Sequence, residues 1–419
     1  MGLACAHELL KSGHRVTVYE AAPRIGGMAV SFDFDGTEIE RYCHFICRPD
    51  QSLFDLLEEL GMAESLVWVP TRMGFYYQGT MFEWGRPDRL LAFPHLGMVS
   101  KLRYAANVMY SKSMPNWRAL DKLEATAWLK GWIGEEAYDV LWRPLLDLKF
   151  HGFAGNLSAA WIANRVHRVA RSRKNLFQEE LGHLEGGSET LIRRLEEVLR
   201  EAGARIELAT PVKEVLTADG RVRGVRLADG EVEYDAVLST VPLPFVNQMV
   251  PDLSVSERDA ISSIDNIPVA CVIMKLREPM TPYFWTNIND ARIPFPGLIE
   301  YSNLNDQGAH VVYVPYYVPR DHPVYRRSDE AFLAEVRRCL ALLNPDFRED
   351  WVLAQTVSRY EYAQPICPPD FYGRIPPMKT SIADFYMADT TYYYPEDRSI
   401  SESVRIGKAL AAVFEGTGG

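Results

Sequence analysis

Long apolar runs are missing from this chain of 419 residues. The best of them, Val269 to Met274, is far short of the roughly 18 continuous apolar residues that a membrane-crossing helix requires, so no transmembrane segment is expected. A basic surplus is missing too: 45 Lys and Arg stand against 56 Asp and Glu, a formal net charge of −11. With no clustered run of cations, the balance argues against a nucleic-acid partner. Cysteine is sparse. The 6 thiols are scattered, and the one close pair, Cys43 and Cys47, has a C-x-x-x-C spacing that fits no strong zinc or redox pattern. No metal is therefore expected, and a reducing, cytoplasmic setting is the natural one. The opening MGLACAHELLKSGH lacks the basic and then apolar pattern of a secretory leader.

What the chain does have is 47% hydrophobic content over a length too great for one ordinary core, which predicts two domains, one interrupting the other. One stretch, Leu96 to Met114, mixes Leu, Val, Met and Tyr with Lys and Arg. It admits peripheral contact with a membrane surface, although such stretches more often pack on their own core. Nothing in the sequence speaks to oligomeric state.

The first residues form half of a nucleotide-binding unit. Leu3, Ala6, Leu9 and Leu10 recur at helical spacing, Gly13 follows as a stop, and Val16 to Tyr19 reads as a short buried strand. Glu20 ends that strand 18 residues after Gly2, where a dinucleotide fold places the acid that binds a ribose hydroxyl. Gly2 then stands as the third glycine of G-x-G-x-x-G. Beyond Glu20, the pair Gly26 and Gly27 before Met28 lets backbone approach a bound cofactor, and Arg24 offers a cation for phosphates.

From Asp50 to Leu181 the pattern turns helical, with helices expected over Leu120 to Trp132 and Tyr138 to Leu148 and one hairpin around Gln78 and Gly79. Leu191, Ile192, Leu195, Val198 and Leu199 then make one apolar stripe, and a small meander leads into Tyr234 to Pro242. Leu243 to Pro377 is rich in β-branched and aromatic alternation, which predicts a mixed sheet. The chain closes as strand, loop and helix, with Asp389 after the strand.

The sequence GLACAHELLKSGHRVTVYEAAPRIGG resembles the FAD-binding fingerprint of the amine-oxidase-like flavoproteins, the superfamily of the protoporphyrinogen oxidases, related to UDP-galactopyranose mutase. There a G-A-G-x-x-G-L turn precedes the helix, so Met1 falls inside that loop. The first strand and two glycines are expected upstream of a misplaced start codon. The resemblance implies FAD as cofactor and an α/β fold: a Rossmann-like FAD-binding domain from 1–50, 180–247 and 376–419, its first strand missing, interleaved with an α+β substrate domain. The latter takes its helical part from 51–179 and its mixed sheet from 248–375. It further implies that Gly2, Glu20, Arg24, Gly26, Gly27 and Met28 contact the cofactor and that the Val212 backbone meets the adenine. Asp389 would reach the ribityl or phosphate region, and the backbone of Ser403 and Val404 the flavin end, at a helix N-terminus. One departure is that Asp389 lies in Ala-Asp-Thr where better-known members have Gly-Glu, as in flavoproteins of polysaccharide and lipid gene clusters.

Candidates for chemistry are few, because a flavin itself takes the hydride. His44 is singled out, since the mutases carry a histidine similarly placed against the flavin; a structural histidine is the bland alternative. Arg165 and Arg168, with Lys149, are candidates to receive an anionic substrate group, and Tyr393, with Tyr392 and Tyr394, to line the ring's edge. The expected function is an FAD-dependent oxidoreductase taking a hydride from a C–H or N–H centre of a small or lipid-like substrate. The first alternative is an FAD-dependent sugar-nucleotide mutase, weakened by Tyr42 and Cys43 where that family has glycines. The second is a paralogue that has lost FAD.

Overall fold

The computed structural model describes residues 1–113 and 116–416. Met114, which ends the mixed apolar and basic stretch, and residues 417–419 lie outside the described residues. The helix Gly2–Lys11 buries Ala4, Cys5, Ala6 and Leu9 and stops at Gly13, which takes the left-handed φ of 85° that glycine adopts without strain. It feeds the strand Thr17–Tyr19, which pairs in parallel with Arg205–Glu207, Thr17 opposite Arg205. Between the two in sequence runs the predicted amphipathic helix, Ser188–Glu201, with Leu191, Ile192, Leu195 and Leu199 buried.

A second parallel pair joins Val237–Ser239 to Phe385–Met387. These two parallel pairs are separate two-stranded sheets. The last helix, Ile400–Phe414, crosses the first at close range: a Cβ on Gly407 would lie 2.6 Å from the Met1 carbonyl oxygen and 3.0 Å from the Cys5 nitrogen. Glycine there is a condition of the packing.

The mixed sheet has seven strands in the order Val352–Pro365, Asn266–Leu276, His310–Tyr317, Gly297–Glu300, Trp285–Asn289, Met73–Tyr77 and Thr80–Trp84. The hairpin expected around Gln78 and Gly79 supplies the last two, and it pairs in parallel with Trp285–Asn289. Alternate residues of the central strand face opposite cores, as a period of two requires. Ala270, Val272 and Met274 pack with Phe332, Val336 and Leu340 of the helix Asp329–Leu343. Val269, Cys271 and Ile273 pack with Phe34, Ile39 and Tyr42 from the N-terminal segment.

The helical part comprises Met98–Ser113, Trp117–Asp121, Ala125–Leu141, Arg143–Phe150 and Ala159–Arg171. The gap expected after Trp132 is instead a kink within Ala125–Leu141, where Gly134 has φ 82°. Among the described residues no helix is long and apolar enough to cross a membrane. The result is the mixed α/β architecture that the resemblance implies.

Candidate cofactor and substrate site

One cavity of about 800 Å³ runs between the N- and C-terminal segments, the mixed sheet and the helical part. Gly26, Gly27, Met28, His44, Asp389 and Ser403 all contribute to its wall, although they are separated by up to several hundred residues in sequence. Gly26 and Gly27 have φ of 121° and 59°, so the backbone passes here in a form that side-chain-bearing residues resist.

Gly2 abuts the cavity lining, whereas Glu20 and Val212 are not part of it. Gly2 sits where a Cβ would meet the Thr240 hydroxyl at 2.8 Å, and Thr240 lines the cavity. Glu20 ends its strand with Oε1 accepting from the Ala22 amide at 2.8 Å. Its carbonyl accepts from the Thr210 amide at 2.9 Å, which brings it onto the segment of Val212. Neither the N–H nor the C=O of Val212 has a hydrogen-bond partner among the described residues, so both are open to a ligand. The Tyr360 hydroxyl in the cavity wall is pushed up to about 12 by burial and then by the charges of Asp389 and Glu20.

Other expectations are changed by local contacts. Arg24 Nη2 is held at 2.7 Å by Glu189 and lies 3.6 Å from Glu38; it is not the unattached cation that the sequence suggests. Asp389 is buried, and its two oxygens already accept the Leu243 and Thr391 amides at 2.9 and 2.8 Å. Burial nonetheless raises its pKa.

The last helix starts earlier than the expected role of Ser403 and Val404 requires. The Ser403 amide donates within the helix to Ser399 and the Glu402 amide to Ser399 Oγ. The amides left without a helical acceptor are those of Ile400 and Ser401, and Ile400 lines the cavity. Val404 is buried in the core behind. Ser403 meets the cavity through its side chain, bonded at 2.6 Å to the Tyr393 hydroxyl. Of the three tyrosines Tyr393 alone lines the cavity; Tyr394 is tied to Asp121 and Ser158, and Tyr392 packs in the core.

His44 stands in the wall with Nδ1 donating to Glu40 at 2.9 Å, which leaves Nε2 as the nitrogen free for a ligand. Glu40, itself buried, also accepts the His44 and Ser188 amides, each at 2.9 Å. Arg168 lines the cavity, but its guanidinium is buried on Asp50 at 2.8 and 3.2 Å. Arg165 lines it too and pairs with Asp397.

Sequence reading missed Glu40, Glu179 and Arg398. Glu179 is a buried acid in the wall whose carboxyl is pushed up to about 7 by burial; nothing in its strand, Gln178–Leu184, marks it. One cluster has metal-ligand chemistry, His7, Glu8 and Glu59, but Lys11 and Lys408 lie within 3.3 Å of its carboxylates and supply the positive charge themselves.

The cavity's other end opens onto the surface. Leu91, Leu102, Met109 and Leu176 line it and are each more than half exposed. Met98, Val99 and Phe177 extend the same apolar exposure. The helix Met98–Ser113 carries Lys101, Arg103 and Lys112 and no acid.

This lining fits a flavin nucleotide: glycines at positive φ, the buried acid Asp389 and the start of the last helix all border the one cavity. A family model described as flavin containing amine oxidoreductase matches residues 2–391. Zeta-carotene desaturase from Synechocystis sp. is 27% identical over 310 residues, 65% of this chain and 63% of that protein. The match thus spans less than two thirds of that relative's length. An oxidoreductase from Methanosarcina mazei superposes with a TM-score of 0.74 at 17% identity, over 99% of this chain and 97% of the other. Cyclohexylamine oxidase from Brevibacterium oxydans gives 0.71 at 16%, over 98% and 96%. At such identities the two structures speak to the fold alone.

Proposed function

This chain belongs to the family of flavin-containing amine oxidoreductases, and from that premise we propose that it is an FAD-dependent oxidoreductase that removes a hydride from a C–H or N–H centre of a lipid-like molecule. The observation that carries the reading is the continuity of the cavity. Its backbone-built end suits the nucleotide, and its other end is an apolar chamber walled by Leu90, Leu102, Val108, Met109, Leu141 and Leu145. The relatives named zeta-carotene desaturases act, by their names, on an apolar chain, which suits such a chamber.

When bound, FAD supplies the hydride acceptor. The chain's own part is to hold and to exclude. Gly2, Gly26, Gly27 and Met28 let backbone come close, Glu20 takes the ribose, and Val212 presents unbonded backbone to the adenine. Arg24, shared with Glu189, borders the phosphates, and Asp389 fixes two amides beside the ribityl chain. At the flavin end the amides of Ile400 and Ser401 place the positive end of a helix where negative charge develops, with Ser403 and Tyr393 alongside. His44, oriented by Glu40, presents Nε2 to a substrate, and burial around the apolar chamber keeps water from the reacting carbon. Arg165 stands ready for a polar substrate group, while Arg168 steadies that wall through Asp50. The domain assignment read from the sequence is retained within this proposal. The exposed apolar rim with its basic helix is a surface on which the protein meets a membrane and draws substrate from it.

The test is anaerobic titration of the purified yellow protein with a panel of unsaturated lipids and amines. Loss of flavin absorbance without added reductant is expected. Turnover that appears only after dithionite reduction, with no bleaching by any compound, would overturn the oxidoreductase reading in favour of isomerase chemistry.

A further inference from the structure

A cluster of charged side chains in the cavity wall has no balanced account within the chain. Arg165, on the helix Ala159–Arg171, pairs with Asp397. Arg398, next in sequence, has Nη2 at 3.1 Å from the Tyr317 hydroxyl and Nη1 on the Ala363 carbonyl. Lys149, from Arg143–Phe150, places Nζ 4.8 Å from the Trp161 ring centre and 5.0 Å from that of Tyr317. Arg165, Tyr317, Asp397 and Arg398 line the cavity, and Lys149 packs behind Tyr317.

Three cations thus share one carboxylate. Lys149 is 5% exposed, and among the described residues its ammonium has neither a hydrogen bond nor an ion pair, only the faces of aromatic rings. The Nε of Arg398 is buried without a hydrogen-bond partner, its nearest acid oxygen being Asp397 Oδ1 at 4.0 Å. Two titratable neighbours, Cys367 and His151, add no anion, and Asp121 is bonded to the Tyr394 hydroxyl. Burial holds the Cys367 thiol well above its ordinary range, and His151 is spent on the Tyr317 carbonyl at 2.7 Å. Burial, and then Arg165, pulls the Lys149 ammonium well below its usual range, as expected of a cation lacking its counter-charge. Buried positive charge without a counter-ion is unfavourable until an anion arrives.

We propose that this wall is the subsite for the anionic head of the substrate, a carboxylate received by Arg165 and Arg398 with Lys149 behind them, its apolar tail lying in the adjoining chamber. The inference rests on the reading of the cavity as a substrate site, and it narrows the class. A neutral hydrocarbon would leave the cluster uncompensated; a long-chain carboxylic acid would complete it.

The experiment titrates the FAD-loaded protein with laurate and with 1-dodecanol, which share a tail and differ in the head, by calorimetry below their aggregation limits. Laurate is expected to bind about tenfold or more tighter than the alcohol, the worth of a hydrogen bond to a charged group. Lys149→Met, which keeps the length of the side chain, should remove most of that preference and leave dodecanol binding as it was. Equal affinities for the two ligands in the unaltered protein would overturn the proposal without any variant. An undiminished preference in Lys149→Met protein that retains its flavin would overturn the part given to Lys149. Should laurate be preferred while no compound bleaches the flavin, the subsite stands and the oxidoreductase reading falls. Should neutral lipids bleach the flavin while laurate is not preferred, the reverse holds.

Discussion

The two ends of the cavity are built from different materials. At the proposed cofactor end the chain presents backbone: two glycines at positive φ and the first amides of the last helix. At the substrate end it presents side chains that depend on partners far away in sequence, such as Arg165 on Asp397 and His44 on Glu40. Backbone contacts tolerate change in side chains but forbid a change of conformation. Side-chain contacts tolerate conformational drift but fail when one partner is lost. The first end should therefore break through geometry and the second through charge.

The largest effect is expected at the first end. Gly26→Ala forces a Cβ into a residue at φ 121°, 2.8 Å from Ile192 Cδ1 and 3.4 Å from the Val30 backbone. The side chain of Ile192 can yield, but the backbone conformation cannot, and holding it costs about 1–3 kcal/mol. Purified Gly26→Ala protein should lose most of its flavin, read as the ratio of visible to ultraviolet absorbance. Full loading would show that this end is not conformationally limited.

A smaller and pH-dependent effect is expected at the second end. Glu179 is buried beside Arg173 at 3.5 Å and Thr71 at 3.4 Å, yet burial outweighs both and pushes its carboxyl from 4.5 up to about 7. The folded protein therefore holds this proton to higher pH than the unfolded chain does. Stability contributed by the group falls as pH rises from 4.5 to about 7, and the penalty is complete above that. Glu179→Gln, which is neutral throughout, should raise stability by ~2 kcal/mol at pH 8 and hardly at all at pH 4. Thermal melts at the two pH values measure the difference; equal shifts at both would mean that charge is not what limits this wall.

How much of this was legible in the sequence follows the same division. A backbone-built site leaves local marks: spacing singles out Gly2, Glu20, Gly26 and Gly27, of which Gly26 and Gly27 line the cavity. Even where reading slipped, a local sign existed: Ser399-Ile-Ser-Glu402 has the S-x-x-E form of a helix start, which would have moved the helix N-terminus from Ser403 to Ile400. The hairpin at Met73–Trp84 showed its alternation, but its parallel partner Trp285–Asn289 lies some 200 residues on and left no local trace. The same holds for Arg165 with Asp397, 232 residues apart, and for Glu40, whose burial under His44 and Ser188 depends on three segments meeting. A side chain's partner across the fold is set by tertiary packing, and no spacing rule encodes it.

The mouth of the cavity lies at the outer limit of the second end, and its perturbation should be the mildest for the fold. Leu102 is 61% exposed and lines the opening, so Leu102→Asp removes no core contact and should change stability by no more than about 0.5 kcal/mol. If the rim serves only to seal the chamber, binding of the protein to lipid vesicles should be negligible with or without the change. If the rim meets a membrane, the unaltered protein should float with vesicles containing phosphatidylglycerol, because the helix Met98–Ser113 exposes Arg103 and Lys112 beside the rim in a chain of net charge −11. Leu102→Asp should then lose most of that flotation, since it exchanges buried apolar area for a charge repelled by the anionic surface. Flotation of both proteins alike would place the contact elsewhere on the molecule and leave the apolar rim without a role in substrate entry.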